Sequence, residues 1–279
     1  MPPEIVTTIT EQKALPYACV DGGELLLDLY LPDWVEEPPL VIWIHGGAWQ
    51  FGSRADPPLG PVAAGYALAS VDFRQAGTAG FPAQIHDIRA AIRFLRAQAR
   101  ALGFRADRFA IWGASSGGHL AALAGVSRGG AELEGRVGEH PGEDSSVQAV
   151  IDFFGPADLL TILDQSTPHG LDVRVPALER LLGGALDEPG VRRRARLASP
   201  VHHVHAGAPP LLILHGVQDK QVPINQSIEL DLAYRQLGLD SRLVFLPDAG
   251  HMDGVYYDTG CMEIVMDFLD RVLKAEPAA

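Results

Sequence analysis

Short apolar runs that alternate with longer amphipathic segments constrain the fold of this chain more than any other feature. Several runs are apolar at successive positions, which a strand requires when both faces of its sheet are covered. Residues 84–101 instead repeat isoleucine and leucine at helical spacing, from Ile85 to Leu95. This alternation predicts an α/β fold with a mostly parallel, doubly wound sheet. We expect strands at 23–31, 40–45, 66–73, 108–113, 147–154, 211–216 and 242–247, and further helices at 224–238 and 261–274.

The chain length suits one large domain, and the composition supplies enough apolar material for its core. The sequence has 279 residues, of which 47% are hydrophobic and 20% charged. Between about 155 and 200 the strand pattern stops, while proline, glycine and short apolar runs continue. A gap of this length between two strands is more often an insertion than a bare loop. We therefore predict a single domain over 1–279 with a helical cap insertion at about 155–200.

The charge balance limits the partners that the protein can bind. The formal net charge is −13, which disfavours nucleic acids and anionic membrane surfaces because both are negatively charged. One basic cluster, at 192–196, is interpreted as a solvated helix face. We expect a small-molecule substrate, no nucleic-acid partner and no membrane partner, and the sequence leaves a homodimer open.

Cysteines, histidines and the N-terminus bear on cofactors and compartment. Cys19 and Cys261 lack the spacing of a zinc site or a disulfide framework, so we predict two unpaired thiols. His202, His203 and His205 have no carboxylate or cysteine at metal spacing, so we predict no metal and no other cofactor. The N-terminus lacks a signal-peptide pattern, and no apolar run reaches the roughly 20 residues that span a bilayer. A cytoplasmic protein is the expectation, although a chain that had lost its signal would look the same.

The segment "GASSG" at 113–117 contains a candidate nucleophile. It follows the apolar run "RFAIW" and precedes the helical pattern "GHLAALAGV". In G-x-S-x-G at a strand-to-helix turn, the glycines make room for a strained backbone and the serine hydroxyl emerges at the carboxyl end of the sheet. The helix N-terminus also offers free N–H groups to an oxyanion. These features favour Ser115 as the nucleophile, while Ser116 is more useful through its backbone N–H.

A serine nucleophile needs a base, and the base needs an acid that orients it. "LLILHGVQDKQVP" ends one predicted strand and supplies Asp219, and "RLVFLPDAGHMD" ends the next and supplies His251. Both residues lie just beyond the carboxyl end of a strand, which is the sheet edge expected for Ser115. We predict a catalytic triad of Ser115, Asp219 and His251.

Other residues compete for these roles. Asp248 and Asp253 are alternative acids, but both lie too close to His251 in sequence to brace it easily. An aspartate after a strand is also often a turn residue. The sequence holds ten histidines, so another could be the base. His119, four residues after Ser115, is expected to pack or cap instead.

The segment "IWIHGGAWQFG" is the candidate oxyanion loop. It follows an early strand, and its glycines let backbone N–H groups approach a substrate oxygen. We predict Gly47, Ala48 and Ser116 as the oxyanion donors, with Gly46 as an alternative. Trp49 is predicted to line the acyl or alcohol pocket, with a core position as its alternative.

The motifs "HGGAW", "GASSGGH", "HGVQD" and a late "GH" resemble the α/β-hydrolase superfamily. More narrowly, they are similar to microbial carboxylesterases of the acetyl/feruloyl-esterase-like and kynurenine-formamidase-like branch, related to the hormone-sensitive-lipase-like esterases. The resemblance covers nearly the whole chain and implies an α/β-hydrolase fold, an esterase triad at the three predicted positions, and structural roles for Arg74 and Asp87. "HGGAW" stands where the hormone-sensitive-lipase-like group has "HGGG", which favours the esterase and formamidase branch.

These residues predict a serine carboxylesterase that hydrolyses small or medium carboxylic esters through an acyl-enzyme. An arylformamidase or other amidase is an open alternative, because the same triad serves both reactions. A hydrolase-fold binding protein without activity is a further alternative, since fold alone does not establish function. The presence of all three triad candidates disfavours that last class.

Overall fold

The computed structural model describes residues 8–128 and 130–274. The ends of the predicted single domain, 1–7 and 275–279, lie outside these residues, and so does the start of the segment used for the signal-peptide expectation. Eight strands form one sheet. They are β1 Ile9–Val20, β2 Gly23–Pro32, β3 Leu40–Ile44, β4 Ala67–Val71, β5 Phe109–Ala114, β6 Ala149–Phe153, β7 Leu211–Gly216 and β8 Ser241–Leu246.

Helices link the strands and cover the sheet. They are α1 Gly60–Ala63, α2 Ala83–Leu102, α3 Ser116–Val126, α4 Ala131–Glu134, α5 Ile162–Gln165, α6 Pro168–Leu182, α7 Pro189–Ala198, α8 Asn225–Gln236 and α9 Thr259–Leu269. The helices predicted at 84–101 and 224–238 correspond to α2 and α8. The last predicted helix, 261–274, consists of α9 and a π-helical turn, Asp270–Lys274. In the described ranges, no helix combines the length and apolar character that crossing a membrane requires.

The spatial order of the strands is β1-β2-β4-β3-β5-β6-β7-β8. From β4 to β8 all neighbouring strands are parallel, while β2 pairs antiparallel with both β1 and β4. After β3 the chain forms β4 on one side of that strand, and it then crosses over to form β5 on the other side. Ligand sites in open α/β sheets lie at the carboxyl ends of strands beside such a reversal. The predicted mostly parallel, doubly wound sheet is confirmed.

Strand β3 shows why helices cover both faces of the sheet. Its residues are all buried. Leu40 and Ile42 pack into the core on one face, and Val41 and Trp43 pack into the core on the other. Because the alternating positions are apolar on both sides, neither face of this strand can remain in water.

Strand β1 was not among the predicted strands. Its sequence, ITEQKALPYACV, contains charged and amide side chains, and only Tyr17 and Ala18 are buried. Its pairing with β2 shifts register twice, between Gln12 and Leu15 and between Pro16 and Ala18. Polar residues, proline and bulges are typical of an edge strand, and they remove the apolar pattern by which a central strand is found.

The segment predicted as a cap insertion lies between β6 and β7 and contains α5, α6 and α7. The arginine cluster at 192–196 lies on α7, where Arg192, Arg193 and Arg196 are exposed, as predicted for a solvated face. That this segment acts as a cap, and that the whole chain is one domain, stay predictions.

Arg74, which follows β4, and Asp87, on α2, form a forked ion pair. Arg74 Nε donates to Asp87 Oδ2 (2.9 Å) and Nη2 donates to Oδ1 (2.7 Å). Asp87 is fully buried on α2. The pair holds the segment after β4 against that helix, which agrees with the structural role that the resemblance implies.

Candidate active site

Ser115 lies at the turn between β5 and α3. Its φ is 55°, a left-handed conformation that is strained for a residue with a side chain. A Cβ at Gly113 would lie 2.2 Å from the Gly117 carbonyl oxygen, and a Cβ at Gly117 would lie 2.1 Å from the Ile44 carbonyl oxygen. Only glycine avoids these contacts, which explains the G-x-S-x-G spacing. The Ser115 N–H donates to the Phe153 carbonyl oxygen (2.8 Å), so β6 holds the turn in place.

Three side chains from distant parts of the sequence form one hydrogen-bonded chain. Ser115 Oγ lies 3.0 Å from His251 Nε2, and His251 Nδ1 lies 2.6 Å from Asp219 Oδ2. Because an ionised carboxylate can only accept, His251 Nδ1 carries the proton and Nε2 accepts from the Ser115 hydroxyl. The structure thus brings the three predicted triad residues together.

Four donors surround the Asp219 carboxylate. Oδ1 accepts from the N–H groups of Gln221 (2.8 Å) and Val222 (2.9 Å). Oδ2 faces His251 Nδ1 at 2.6 Å and His215 Nε2 at 3.3 Å. Burial alone would raise the pKa of Asp219, but the hydrogen bonds from His215 and His251 outweigh it and hold the pKa well below its usual range. The acid is therefore ionised throughout the neutral range.

His215, at the end of β7, is a contact of the acid that the sequence interpretation missed. Its Nε2 lies 3.1 Å from the Val222 carbonyl oxygen as well as 3.3 Å from Asp219 Oδ2. Both oxygens are acceptors, so Nε2 carries a proton, while Nδ1 lies 2.7 Å from Ser227 Oγ. The signal was present in "HGVQD", where a histidine that ends a strand precedes the acid by four residues.

Two aromatic residues support His251, and no sequence motif predicted either of them. The Tyr256 hydroxyl accepts from the Gly216 N–H (2.7 Å) and donates to the Gly250 carbonyl oxygen (3.3 Å). It therefore ties the end of β7 to the loop that carries His251. The Phe154 ring meets the His251 ring edge-on, with centroids 4.8 Å apart. Tyr256 and Phe154 are both fully buried.

The predicted oxyanion loop follows β3 and turns back sharply. Gln50 and Phe51 both donate their N–H groups to the Gly47 carbonyl oxygen (2.9 Å each). Gly47 has a φ of 119° and Ala48 a φ of 53°, both in the left-handed region. In the part of the chain that the structure describes, the N–H groups of Gly47 and Ala48 donate to no backbone oxygen.

This loop lies against Ser115. A Cβ at Gly46 would lie 3.5 Å from Ser115 Cβ and 3.0 Å from the Ala114 carbonyl oxygen. Ser116 begins α3, so its N–H is among the first-turn donors that have no partner within the helix. Gly47, Ala48 and Ser116, with Gly46 as the alternative, stay the predicted oxyanion donors.

Trp49 lies in the core rather than on a pocket wall. Its side chain is 0% exposed, so it offers no surface to a substrate. With a φ of 60°, the residue packs its ring inward, and the indole N–H donates to His119 Nδ1 (3.1 Å). The prediction that Trp49 lines the substrate pocket is therefore wrong, and its alternative, a core position, describes the structure.

His119 connects the oxyanion loop to the insertion. Its Nε2 lies 2.7 Å from the Ala198 carbonyl oxygen at the end of α7. Since that oxygen can only accept, Nε2 carries the proton and Nδ1 accepts from Trp49. Burial lowers the pKa of His119 to about 4, so the ring is neutral near pH 7. His119 packs, as predicted, and lies outside the hydrogen-bonded chain of Ser115, His251 and Asp219.

The alternative acids do not contact the base. Asp253 Oδ2 accepts from the Gly250 N–H (2.6 Å), and Asp248 is exposed. The histidine cluster is likewise dispersed, since His202 Nε2 lies 3.4 Å from Asp158 Oδ2 while His203 points to a backbone carbonyl. Within residues 8–128 and 130–274, no group of three or more His, Cys, Asp or Glu could hold a metal ion.

The strand order and the position of Ser115 at the end of β5 define the class of protein to which this chain belongs, the α/β hydrolases. Comparison with family models is more specific. The model described as BD-FAE matches residues 27–234, and the chain belongs to that family.

Relatives and solved structures that are similar to this chain are named as esterases. Esterase LipC of Mycobacterium tuberculosis is 34% identical over 240 residues, which are 83% of this chain and 57% of LipC. The chain spans about half the length of the curated relatives it matches. A truncated form of a carbohydrate esterase from gut microbiota has a TM-score of 0.86 and 30% identity, covering 98% of this chain and 99% of that one. Thermogutta terrifontis esterase 2 phosphorylated by paraoxon has a TM-score of 0.72 and 25% identity, covering 99% and 98%.

Proposed function

We propose that the protein is a serine carboxylesterase that hydrolyses small or medium carboxylic esters through an acyl-enzyme. The observation that carries the proposal is the hydrogen-bonded chain from Ser115 through His251 to Asp219. The esterases among its relatives and structural neighbours support it.

The first step is the attack of Ser115 Oγ on the ester carbonyl carbon. His251 Nε2 lies 3.0 Å from Oγ and takes its proton as the new C–O bond forms. The imidazolium that results is stabilised by the Asp219 carboxylate, which also keeps the ring in the correct orientation. Because Asp219 is already ionised and hydrogen-bonded, this stabilisation needs no rearrangement.

Negative charge develops on the carbonyl oxygen during this attack. The N–H groups of Gly47, Ala48 and Ser116 stabilise that charge, and the N-terminus of α3 adds the positive end of its dipole. These donors belong to the backbone of a folded turn and a helix start, so they are oriented before substrate arrives.

The tetrahedral intermediate then expels the alcohol. The His251 imidazolium gives its proton to the leaving oxygen, and the acyl group remains on Ser115. A water molecule attacks the carbonyl carbon of the acyl-enzyme while His251 takes a proton from that water. The second tetrahedral intermediate then breaks its bond to Ser115 Oγ, which regains its proton from His251, and the carboxylic acid is released. The side chains of the triad supply every proton transfer in the cycle.

Two exposed apolar side chains are better candidates than Trp49 for contact with the substrate. Phe51 lies in the oxyanion loop and is 68% exposed, and Met252 follows His251 directly and is 61% exposed. Exposed apolar groups of this size beside reacting residues offer surface to an acyl or alcohol group.

Replacement of Ser115 tests the proposal. Ser115→Ala should lower kcat on 4-nitrophenyl butyrate by about a million-fold, because base and acid act only through this hydroxyl. Paraoxon should add one phosphoryl group to the wild type and none to the variant, as measured by mass spectrometry. Ser53→Ala, at an exposed serine outside the triad, serves as the matched control. Near-full activity or unchanged labelling of Ser115→Ala would rule out Ser115 as the nucleophile.

The same proteins separate the alternative functions. An amidase would hydrolyse an N-formyl aryl amide with a higher kcat/KM than 4-nitrophenyl butyrate, whereas an esterase would show the reverse. A binding protein would neither turn over these substrates nor react with paraoxon. The two measurements therefore distinguish all three classes.

A further inference from the structure

One buried histidine joins three segments of the chain around the oxyanion loop. His119, on α3, is 0% exposed, and its main-chain N–H donates to the Ser115 carbonyl oxygen (3.0 Å), one helical turn earlier. Its ring accepts from the Trp49 indole N–H (3.1 Å) and donates to the Ala198 carbonyl oxygen (2.7 Å). The proton transfers of the triad do not use this ring, so its two hydrogen bonds serve some other purpose.

The backbone of the oxyanion loop is strained just where its donors lie. Gly47, Ala48 and Trp49 have φ values of 119°, 53° and 60°, so three successive residues are left-handed. For residues that carry a Cβ, such as Ala48 and Trp49, this conformation costs free energy. The turn is closed by the N–H groups of Gln50 and Phe51, which both donate to the Gly47 carbonyl oxygen. A strained backbone of this kind persists only where surrounding contacts hold it.

Two hydrogen bonds hold Trp49, one on its main chain and one on its side chain. The Trp49 carbonyl oxygen accepts from the Ala76 N–H (2.7 Å), and the indole N–H donates to His119 Nδ1 (3.1 Å). The two rings meet edge-on, with centroids 5.2 Å apart and an interplanar angle of 87°. Because Trp49 directly follows Ala48, an anchored indole restrains the peptide groups of Gly47 and Ala48.

The bond to Ala198 determines which nitrogen of His119 faces the indole. A carbonyl oxygen only accepts, so Nε2 carries the proton and Nδ1 is left as an acceptor for Trp49. A ring protonated on Nδ1 would set two donors against each other. Burial lowers the pKa of His119 to about 4, so near pH 7 the ring stays neutral and keeps this acceptor. The end of α7 thus keeps His119 in the tautomer that can hold Trp49.

We propose that His119 is a positioning residue for the oxyanion: by accepting the Trp49 indole N–H, it keeps the N–H groups of Gly47 and Ala48 aimed at the substrate carbonyl oxygen. The proposal rests on the proposed esterase function and its oxyanion donors. His119 itself touches no substrate and exchanges no proton. Its loss should therefore be felt where negative charge develops on the substrate oxygen, and not in the proton transfers of the triad.

A pair of substrates isolates that effect. 4-Nitrophenyl butyrate and its thiono analogue, in which sulfur replaces the carbonyl oxygen, have the same leaving group and react through the same triad. Sulfur is a weak hydrogen-bond acceptor, so the thionoester gains less from the backbone donors. Absorbance of 4-nitrophenolate reports both reactions, and the readout is the ratio of kcat/KM for the oxygen ester to that for the thionoester. A general structural defect lowers both values and leaves the ratio unchanged.

Three variants test the two sides of the Trp49–His119 bond. Trp49→Phe removes the indole N–H, and His119→Gln removes the acceptor while an amide N–H can still reach the Ala198 carbonyl oxygen. In both, the ratio should fall by about 10- to 100-fold, the loss expected when oxyanion donors are misplaced. His119→Asn sets an amide oxygen near the position of Nδ1 and should retain most of the wild-type ratio. An equal fall for both substrates in Trp49→Phe, or as large a change of ratio in His119→Asn as in His119→Gln, would overturn the proposal.

His203 offers a matched control. Its Nε2 lies 2.8 Å from the Leu197 carbonyl oxygen, so it contacts the end of α7 beside the residue that His119 contacts. Among the described residues it has no hydrogen bond to the oxyanion loop. His203→Gln and His203→Asn should therefore keep the wild-type ratio. A fall in the ratio of these variants as large as that of His119→Gln would show that the position of α7, and not the bond to Trp49, controls the oxyanion donors.

A measurement on the wild type covers the case in which the variants fail to fold. The chain has four tryptophans. In ¹⁵N-labelled protein, one indole N–H should show a scalar coupling across its hydrogen bond to a histidine Nδ1. The coupling should persist after paraoxon has phosphorylated Ser115, when a phosphoryl oxygen takes the place of the substrate oxygen. Its absence before or after phosphorylation would contradict the proposal.

The same experiments separate the role of His119 from the esterase function. Variants that hydrolyse 4-nitrophenyl butyrate with the wild-type ratio refute only the positioning role. A wild-type protein that neither hydrolyses the esters nor reacts with paraoxon refutes the esterase function itself.

Discussion

Replacing Asp219 with asparagine should lower kcat by about three to four orders of magnitude and leave the fold intact. Oδ1 of Asp219 accepts two backbone N–H groups, from Gln221 and Val222, so the amide oxygen of the new side chain must take that position. The amide NH₂ then faces His251 Nδ1, now 2.6 Å from Oδ2. Because both cannot be donors, His251 must move its proton to Nε2.

A proton on Nε2 removes the base from the reaction. Nε2 is the atom that lies 3.0 Å from Ser115 Oγ, and in this tautomer it can no longer accept the hydroxyl proton. The loss of the carboxylate also removes the charge that stabilises the imidazolium. A fall of 10³ to 10⁴ corresponds to about 4–5.5 kcal/mol of transition-state stabilisation. The same NH₂ faces the His215 N–H, so a further loss of about 1–3 kcal/mol in the free energy of unfolding is expected.

Steady-state hydrolysis of 4-nitrophenyl butyrate gives kcat, and urea denaturation gives the stability. Asp248→Asn is the matched control, since Asp248 is an exposed aspartate in the loop that carries His251. The tautomer reasoning fails if Asp219→Asn keeps more than about a tenth of the wild-type kcat, or if Asp248→Asn loses as much.

Two further predictions concern the scaffold of the site. Gly117→Ala should reduce the free energy of unfolding by about 1–3 kcal/mol or more, because its Cβ would lie 2.1 Å from the Ile44 carbonyl oxygen. Urea titration measures this loss. Gly142→Ala is the control, since a Cβ at Gly142 meets nothing within 4 Å. Burial raises the pKa of Asp152 to about 7, so the folded protein keeps a proton that the unfolded chain loses near pH 4. The stability that this group contributes, on the order of 4 kcal/mol, is complete below about pH 4 and is lost as the pH rises to about 7. Asp152→Asn should therefore flatten the decline of the urea midpoint between about pH 4 and about pH 7, and an unchanged slope would contradict the assignment.

The parallel core and the triad could be predicted because both follow from local patterns and one topological rule. Ser115, Asp219 and His251 each lie just past the end of an apolar strand, and parallel strands bring such ends to one edge. Strand β1 escaped prediction for the opposite reason. It pairs through its backbone at the sheet edge, and its side chains carry little of the apolar alternation that marks a buried strand.

The misplacement of Trp49 has a different cause. The direction of the Trp49 ring depends on a left-handed backbone and on His119, 70 residues away, and neither can be seen in "HGGAW". Contacts between segments far apart in the chain require the fold itself, which composition and periodicity do not supply.

The hydrogen bond from His119 to the Ala198 carbonyl oxygen limits which changes in chain length the insertion can accept. Because the acceptor is a main-chain oxygen, the hydrogen bond depends on where the end of α7 lies and not on the side chain of residue 198. A change in the length of the insertion just before Ala198 would displace this acceptor. It would disturb His119, the Trp49 ring bonded to His119, and the oxyanion loop that carries Trp49. Insertions or deletions in this segment should therefore be tolerated best far from the last turn of α7.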